Sequence, residues 1–355
     1  MSAARLAALV AATLLAAGAA AQEPEGPAER TACAKILEAE EGWAPTGVVY
    51  VSGGLTVATG GAGGVRLWES MSARFARALP GAAQLLAAHP DGKHVVAAGE
   101  GAEVRLVELA SGRTVGVVAG EGRPTALAVS PVGDWFAAAT PAAVTVHALE
   151  DRREVRRLEQ PGATTSLAFG PRGARLAAGG PDGVRLWDLA TGELLRTLIP
   201  GQPVVAVAWA PHGGRLAAAC ADGAVWLLDA ERGANAPAGR HAAPARCVAF
   251  SPDGAQLASG DEGGTLKVWS ATGGAPLAEH PTPGNGAVTG VAFSPGGDDL
   301  VAVFARGLGR FWSSSAGAGE RPAHLVQGWL TDPEVAFAQA REQGRPLLLD
   351  FFALW

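Results

Sequence analysis

The chain repeats itself about every forty residues, and that period constrains the fold more than any other feature. A strand-like tetrapeptide recurs as Val65–Trp68, Val104–Val107, Val144–His147, Val184–Trp187, Val225–Leu228, Leu266–Trp269 and Gly309–Trp312. The steps between their last residues are 39, 40, 40, 41, 41 and 43. A second landmark keeps the same phase: HPDG from His89, SPVG from Ser130, GPRG from Gly170, APHG from Ala210, SPDG from Ser251 and SPGG from Ser294.

Each unit reads as four short strands. In the fourth, Thr165–Phe169 alternates toward a Pro-Arg-Gly turn and Arg175–Ala178 follows it. Pro181-Asp182-Gly183 is a tight turn, Val184–Leu189 a third strand, and Leu194–Leu198 a fourth after Thr191-Gly192. Four-stranded meanders at this spacing predict an all-β, seven-bladed β-propeller over residues 33–314. A blade cannot bury its faces alone, and the Ala, Val and Leu runs supply packing between blades.

These residues resemble the WD-repeat family over about Ala34 to Ser314, best in Ser251-Pro-Asp-Gly254 with Leu266–Trp269 and in Pro181–Gly183 with Val184–Asp188. The resemblance implies that an N-terminal strand, assigned to 33–39, completes the last blade. Trp68, Trp187, Trp269 and Trp312 recur in phase and read as blade packing. Asp182, Asp222 and Asp261 read as one recurring turn position with a local capping role. The chain departs from the family at the Gly-His pair before each blade, approached only by Gly239-Arg-His241, so the family's His–Ser–Asp–Trp networks are expected to be mostly missing. Val107, His147 and Leu228 replace the strand Trp, which predicts less regular second, third and fifth blades.

The formal net charge of −6 argues against an electrostatic nucleic-acid binder. No G-x-S-x-G elbow, P-loop or H-E-x-x-H occurs. The seven histidines share no repeated blade position and show no zinc-like spacing. The expectation is therefore no catalytic residue, cofactor or metal in the propeller, and protein or peptide clients at its loops. A propeller enzyme with a central metal is a weaker alternative. Cys220 and Cys247 fall in adjacent units and read as buried thiols or as a pair.

Residues 1–21 carry Arg5, an apolar run from Leu6 to Leu15 and an Ala19-x-Ala21 cleavage pattern, as a secretory signal peptide does. Residues 22–32 form a polar leader. The expectation is an exported protein, periplasmic or extracellular, with no membrane contact after cleavage. Residues 315–323 read as a linker, and 324–355 as a helix, a Gly344-Arg-Pro346 break and the apolar run Leu347–Phe352. That tail resembles the start of a thioredoxin-like domain of the thiol–disulfide interchange type. Its features are Trp329, the Ala-rich helix and Leu347-Leu-Leu-Asp-Phe-Phe-Ala-Leu-Trp355. The resemblance implies a Cys-x-x-Cys beginning just after Trp355. The expectations are a fragment, a true truncation, or a selenocysteine codon read as a stop at that position. Two functions follow: a client-binding propeller fused to a redox module whose active site lies outside this chain, or a non-enzymatic scaffold with a residual tail.

Overall fold

The computed structural model describes residues 33–37 and 43–313, except 71–73, 160–161, 283, 298 and 307–308, with side chains described within 43–306. The expected signal peptide, leader, linker and thioredoxin-like segment, with the position after Trp355, lie outside the described residues. Among the described residues are twenty-eight strands and one short 3-10 turn, Ser52–Gly54.

The first strand, β1 (Cys33–Leu37), stands apart from the strands that follow it. Blade one is β2 (Pro45–Val51), β3 (Thr56–Gly61), β4 (Gly64–Glu69) and β5 (Phe75–Leu79). Blade two is β6 (Leu85–Ala88), β7 (His94–Ala98), β8 (Glu103–Glu108) and β9 (Thr114–Ala119). Blade three is β10 (Ala126–Val129), β11 (Trp135–Ala139), β12 (Val144–Ala148) and β13 (Glu154–Leu158). Blade four is β14 (Ser166–Phe169), β15 (Arg175–Gly180), β16 (Gly183–Asp188) and β17 (Leu194–Leu198). Blade five is β18 (Val204–Trp209), β19 (Arg215–Cys220), β20 (Ala224–Asp229) and β21 (Asn235–Arg240). Blade six is β22 (Ala245–Phe250), β23 (Gln256–Asp261), β24 (Thr265–Ser270) and β25 (Ala278–Pro281).

Six blades, rather than seven, are thus continuous in the chain. The remaining sheet is composite: β26 (Val288–Phe293), β27 (Asp299–Phe304) and β28 (Gly309–Ser313), then β1 on the outside. β1 runs antiparallel to β28, with Cys33 opposite Trp312 and Leu37 opposite Gly309. The first strand of each sheet touches the first strand of the next, and β26 touches β2. The fold is an all-β propeller.

Small residues let the blades approach. The second strands are covered on both faces, and Leu176, Leu216 and Leu257 on them are fully buried, each such burial stabilising by about 1.5–3 kcal/mol. A Cβ at Gly179 would sit 2.9 Å from Val204 of blade five, and one at Gly260 would sit 2.4 Å from Val288 of the composite sheet. This close approach is the physical reason for the small residues on the second strands. Threonines then bond one blade to the next: Thr46 Oγ1 donates to Gln84 O, Thr125 to Thr164 O, Thr165 to Val204 O and Thr289 to Pro45 O, each at 2.7 Å.

Blades two, three and five are as regular as the others, contrary to the expectation from their missing Trp. Val107, His147 and Leu228 hold the same register opposite Val95, Phe136 and Leu216. His147 stacks on Phe136 at 5.1 Å and 15°, filling the slot with another flat ring.

Candidate interaction face

The residues singled out by the repeat serve the blades. In blade six Trp269 Nε1 donates to Ser259 Oγ at 2.7 Å, Ser259 Oγ meets His241 Nε2 at 2.7 Å, and His241 Nδ1 meets Asp261 Oδ2 at 3.2 Å. All four side chains are buried. Burial pushes the His241 pKa down although Asp261 pulls it up. A neutral imidazole with its proton on Nδ1 satisfies every group. In blade one Trp68 Nε1 donates to Thr59 Oγ1 at 2.9 Å. In blade four Ala178 holds the Ser259 position and the buried Trp187 Nε1 has no partner. Trp312 lies on β28 opposite Leu300, the register that Trp269 has to Leu257.

The three aspartates do not share one position. Asp261 ends β23, paired with Ala245, and its Oδ1 accepts from Thr265 N at 2.7 Å. Asp222 lies within the turn, accepts from Ala224 N at 2.9 Å, and is held below the usual carboxylate range first by that bond. Asp182 is exposed in the matching turn and faces Arg185 at 4.0 Å. The difference is one of register: Asp261 aligns with Cys220 and Gly180, the strand-end residues.

The innermost strands carry little chemistry. Across β2, β6, β10, β14, β18, β22 and β26 the only ionisable side chains are Tyr50, Arg246 and Cys247. Burial, with Asp299 nearby, pushes the Tyr50 phenol up, and burial pushes the Cys247 thiol up to about 12. Cys220, also free and buried, is pushed up to about 12 by burial. The two cysteines form no disulfide. Among the described residues no group of three or more His, Cys, Asp or Glu is placed to hold a metal.

Charge gathers instead at the loops. One face carries the turns between second and third strands and the connections between blades. There Gln84 donates to Glu100 at 3.3 Å, Arg157 to Glu121 at 2.9 Å, Arg240 to Asp222 at 2.8 Å and Arg246 to Glu262 at 3.1 Å. Asp222 apart, the repeat does not single these residues out, because their types vary from unit to unit. Aligning the units and marking charged positions that fail to repeat would find them.

The opposite face has a polar hollow of about 280 Å3 between blades five and six, lined by His212, Arg215, Asp229, Glu231, Arg232 and Asp253. Two of its carboxylates are engaged locally. Asp229 Oδ1 accepts from the backbone of Glu231 and Arg232, and Asp253 Oδ1 accepts from Ser251 Oγ and Ala255 N. On the same face Asp91 lies between His89 (3.1 Å) and His94 (2.6 Å). Burial opposes its charge, but bonds from His94 and from the backbone of Lys93 and His94 outweigh that and hold its carboxyl at about 2.

The WD40 family model, described as WD domain, G-beta repeat, matches residues 192–229 and 239–270. The chain is an all-β propeller that carries WD40 repeats over these two stretches. The second matched stretch holds the complete Trp269–Ser259–His241–Asp261 chain, and the first spans the third-to-fourth strand turn of blade four through β20. No curated protein matches the chain. Among the described residues no helix is long and apolar enough to cross a membrane.

Proposed function

We propose that this chain is an exported binding platform. Protein or peptide clients dock on the face that carries the Gln84–Glu100, Arg157–Glu121, Arg240–Asp222 and Arg246–Glu262 pairs, and the composite sheet serves as the seventh blade of one ring. The observation that carries the reading is the separation of roles. Trp68 with Thr59, and Trp269 with the Ser259–His241–Asp261 chain, are tied up inside blades, the innermost strands lack an acid–base or metal set, and the exposed charges form a rim. Exposed pairs of this kind contribute only about 0–1 kcal/mol each to stability, so they are free to exchange partners with a client.

Photo-crosslinkers placed at Glu100, Glu121 and Glu262 test this against crosslinkers at Asp151 and Thr272 on the opposite face. The first set captures a common client, and Arg157→Glu with Arg246→Glu abolishes the capture. Capture only from the second set, or capture that survives both reversals, rejects the reading. Export is tested by fusing residues 1–32 to a phosphatase active only outside the cytoplasm.

A second reading rests on the resemblance of Trp329–Trp355 to the start of a thioredoxin-like domain. The propeller would then hold clients beside a thiol or selenol group, raising its effective concentration at them. Coding DNA past Trp355 decides it. An in-frame Cys-x-x-Cys, or UGA followed by x-x-Cys, supports the fusion; UAA or UAG with no continuing frame leaves the scaffold alone.

A further inference from the structure

We propose that β9 is a self-association edge, at which two copies of this chain pair antiparallel across a two-fold axis through Val117. The outer strands explain why this edge differs. β5, β13 and β17 have five residues each, with Arg77, Arg156 and Arg196 at their centres. A two-fold pairing of any of these sets arginine against arginine, which opposes association. β21 contains Pro237 and Arg240, β25 contains Glu279 and Pro281, and β1 contains Lys35. β9 reads TVGVVA, with neither charge nor proline. Val115 and Val117 are 46% and 47% exposed.

One edge of β9 is used by β8, from Glu103 opposite Ala119 to Val107 opposite Thr114. Among the described residues no other hydrogen bond reaches Thr114–Ala119. The face toward blade three is closed, because the Arg152 side chain lies 2.8 Å from where a Cβ on Gly116 would be. The outer edge therefore remains as the docking element, and its backbone groups supply the bonds.

The sequence around β9 favours a second copy. With Val117 on the axis it meets its own counterpart, Val115 meets Ala119, and Arg113 meets Glu121 at both ends. Opposite charges thus flank an uncharged centre. Glu121 is 72% exposed in its pair with Arg157 and can turn to a new partner. A single added strand pair falls below the roughly 1,200 Å2 of stable interfaces, so the dimer is weak and concentration-dependent.

Sedimentation velocity of the full chain over a wide concentration range tests this, with far-UV circular dichroism and melting as fold controls. The wild type shifts toward twice the monomer mass as concentration rises. Val117→Lys, an exposed change that leaves blade packing intact, weakens dimerisation by at least about tenfold. Arg113→Glu weakens it, and Arg113→Glu with Glu121→Arg restores it. A wild type that stays monomeric overturns the proposal. So does a dimer indifferent to Val117→Lys, or a double reversal that fails to restore association while the fold is intact.

Discussion

Ser259 joins two buried partners, His241 and Trp269, through one hydroxyl. Removing it strands both. Ser259→Ala is expected to lower stability by about 2–3 kcal/mol, because buried groups left unpaired lose more than the bond itself. Blade four is the converse case, since Trp187 Nε1 is already without a partner and Ala178 holds the serine's position. Ala178→Ser supplies the acceptor and should stabilise by about 0.5–1.5 kcal/mol. Denaturant midpoints measure both, and an Ala178→Ser midpoint at or below that of the wild type would sink the account. The same buried polar residues set a pH response. Burial depresses the pKa of both His241 and His147, so below about 6.5 the unfolded chain takes up protons that the folded chain refuses. Stability is therefore full above that pH and falls as pH drops through it toward the folded values. Unfolding at pH 7.5 and 5.5 should show the lower midpoint at 5.5, and His147→Phe, which keeps a ring against Phe136, should reduce the difference. Equal midpoints at the two pH values would contradict it.

Single strands are joined across blades by contacts that the repeat conceals. Arg156, at the centre of β13, donates from Nε to Leu189 O at 2.9 Å and from Nη2 to Ala190 O at 2.6 Å, both in the third-to-fourth strand turn of blade four. Arg77 does the same from β5 to Ser111 O at 2.7 Å. In β9 the equivalent residue is Gly116, and the contact reverses: Arg152, at φ +63°, folds back from blade three. Arg156→Ala should destabilise by about 1 kcal/mol, the value of charge-assisted bonds discounted for their exposure. Lys should restore little, since one ammonium does not reproduce the forked geometry. Thermal melting of the three proteins checks this, and full recovery with Lys would show that charge alone matters. The four-strand ladder was legible in the sequence because Val184–Trp187 and its counterparts repeat, and the Pro–Gly turns repeat with them. The arginine contacts were not, because Arg156 finds its acceptors 33 and 34 residues away, in another unit that gives no local sign of needing it. The charged rim escaped for a different reason: Arg246 and Glu262 matter by being unlike their counterparts.

The molecule as a whole is joined at its ends in two ways. β26 lies against β2, where Thr289 Oγ1 donates to Pro45 O at 2.7 Å and Gly290 lets Val48 approach. β1 separately covers the edge of β28. These joints do different work. The first passes between neighbouring sheets and resembles the joints between the other blades, so Thr289→Val should lower stability by about 1 kcal/mol, as one lost hydrogen bond does. The second is a ladder whose loss bares a strand edge able to pair with other chains. A chain lacking residues 33–37 should therefore melt earlier and also aggregate with rising concentration, whereas Thr289→Val melts earlier and stays soluble. Melting together with light scattering separates the two effects. If the two changes combined lower the midpoint by more than their sum, the joints support one another as parts of one closed ring, because distant independent sites add. If the deletion leaves both midpoint and solubility unchanged, β26 against β2 holds the ends without help, and β1 is dispensable to closure.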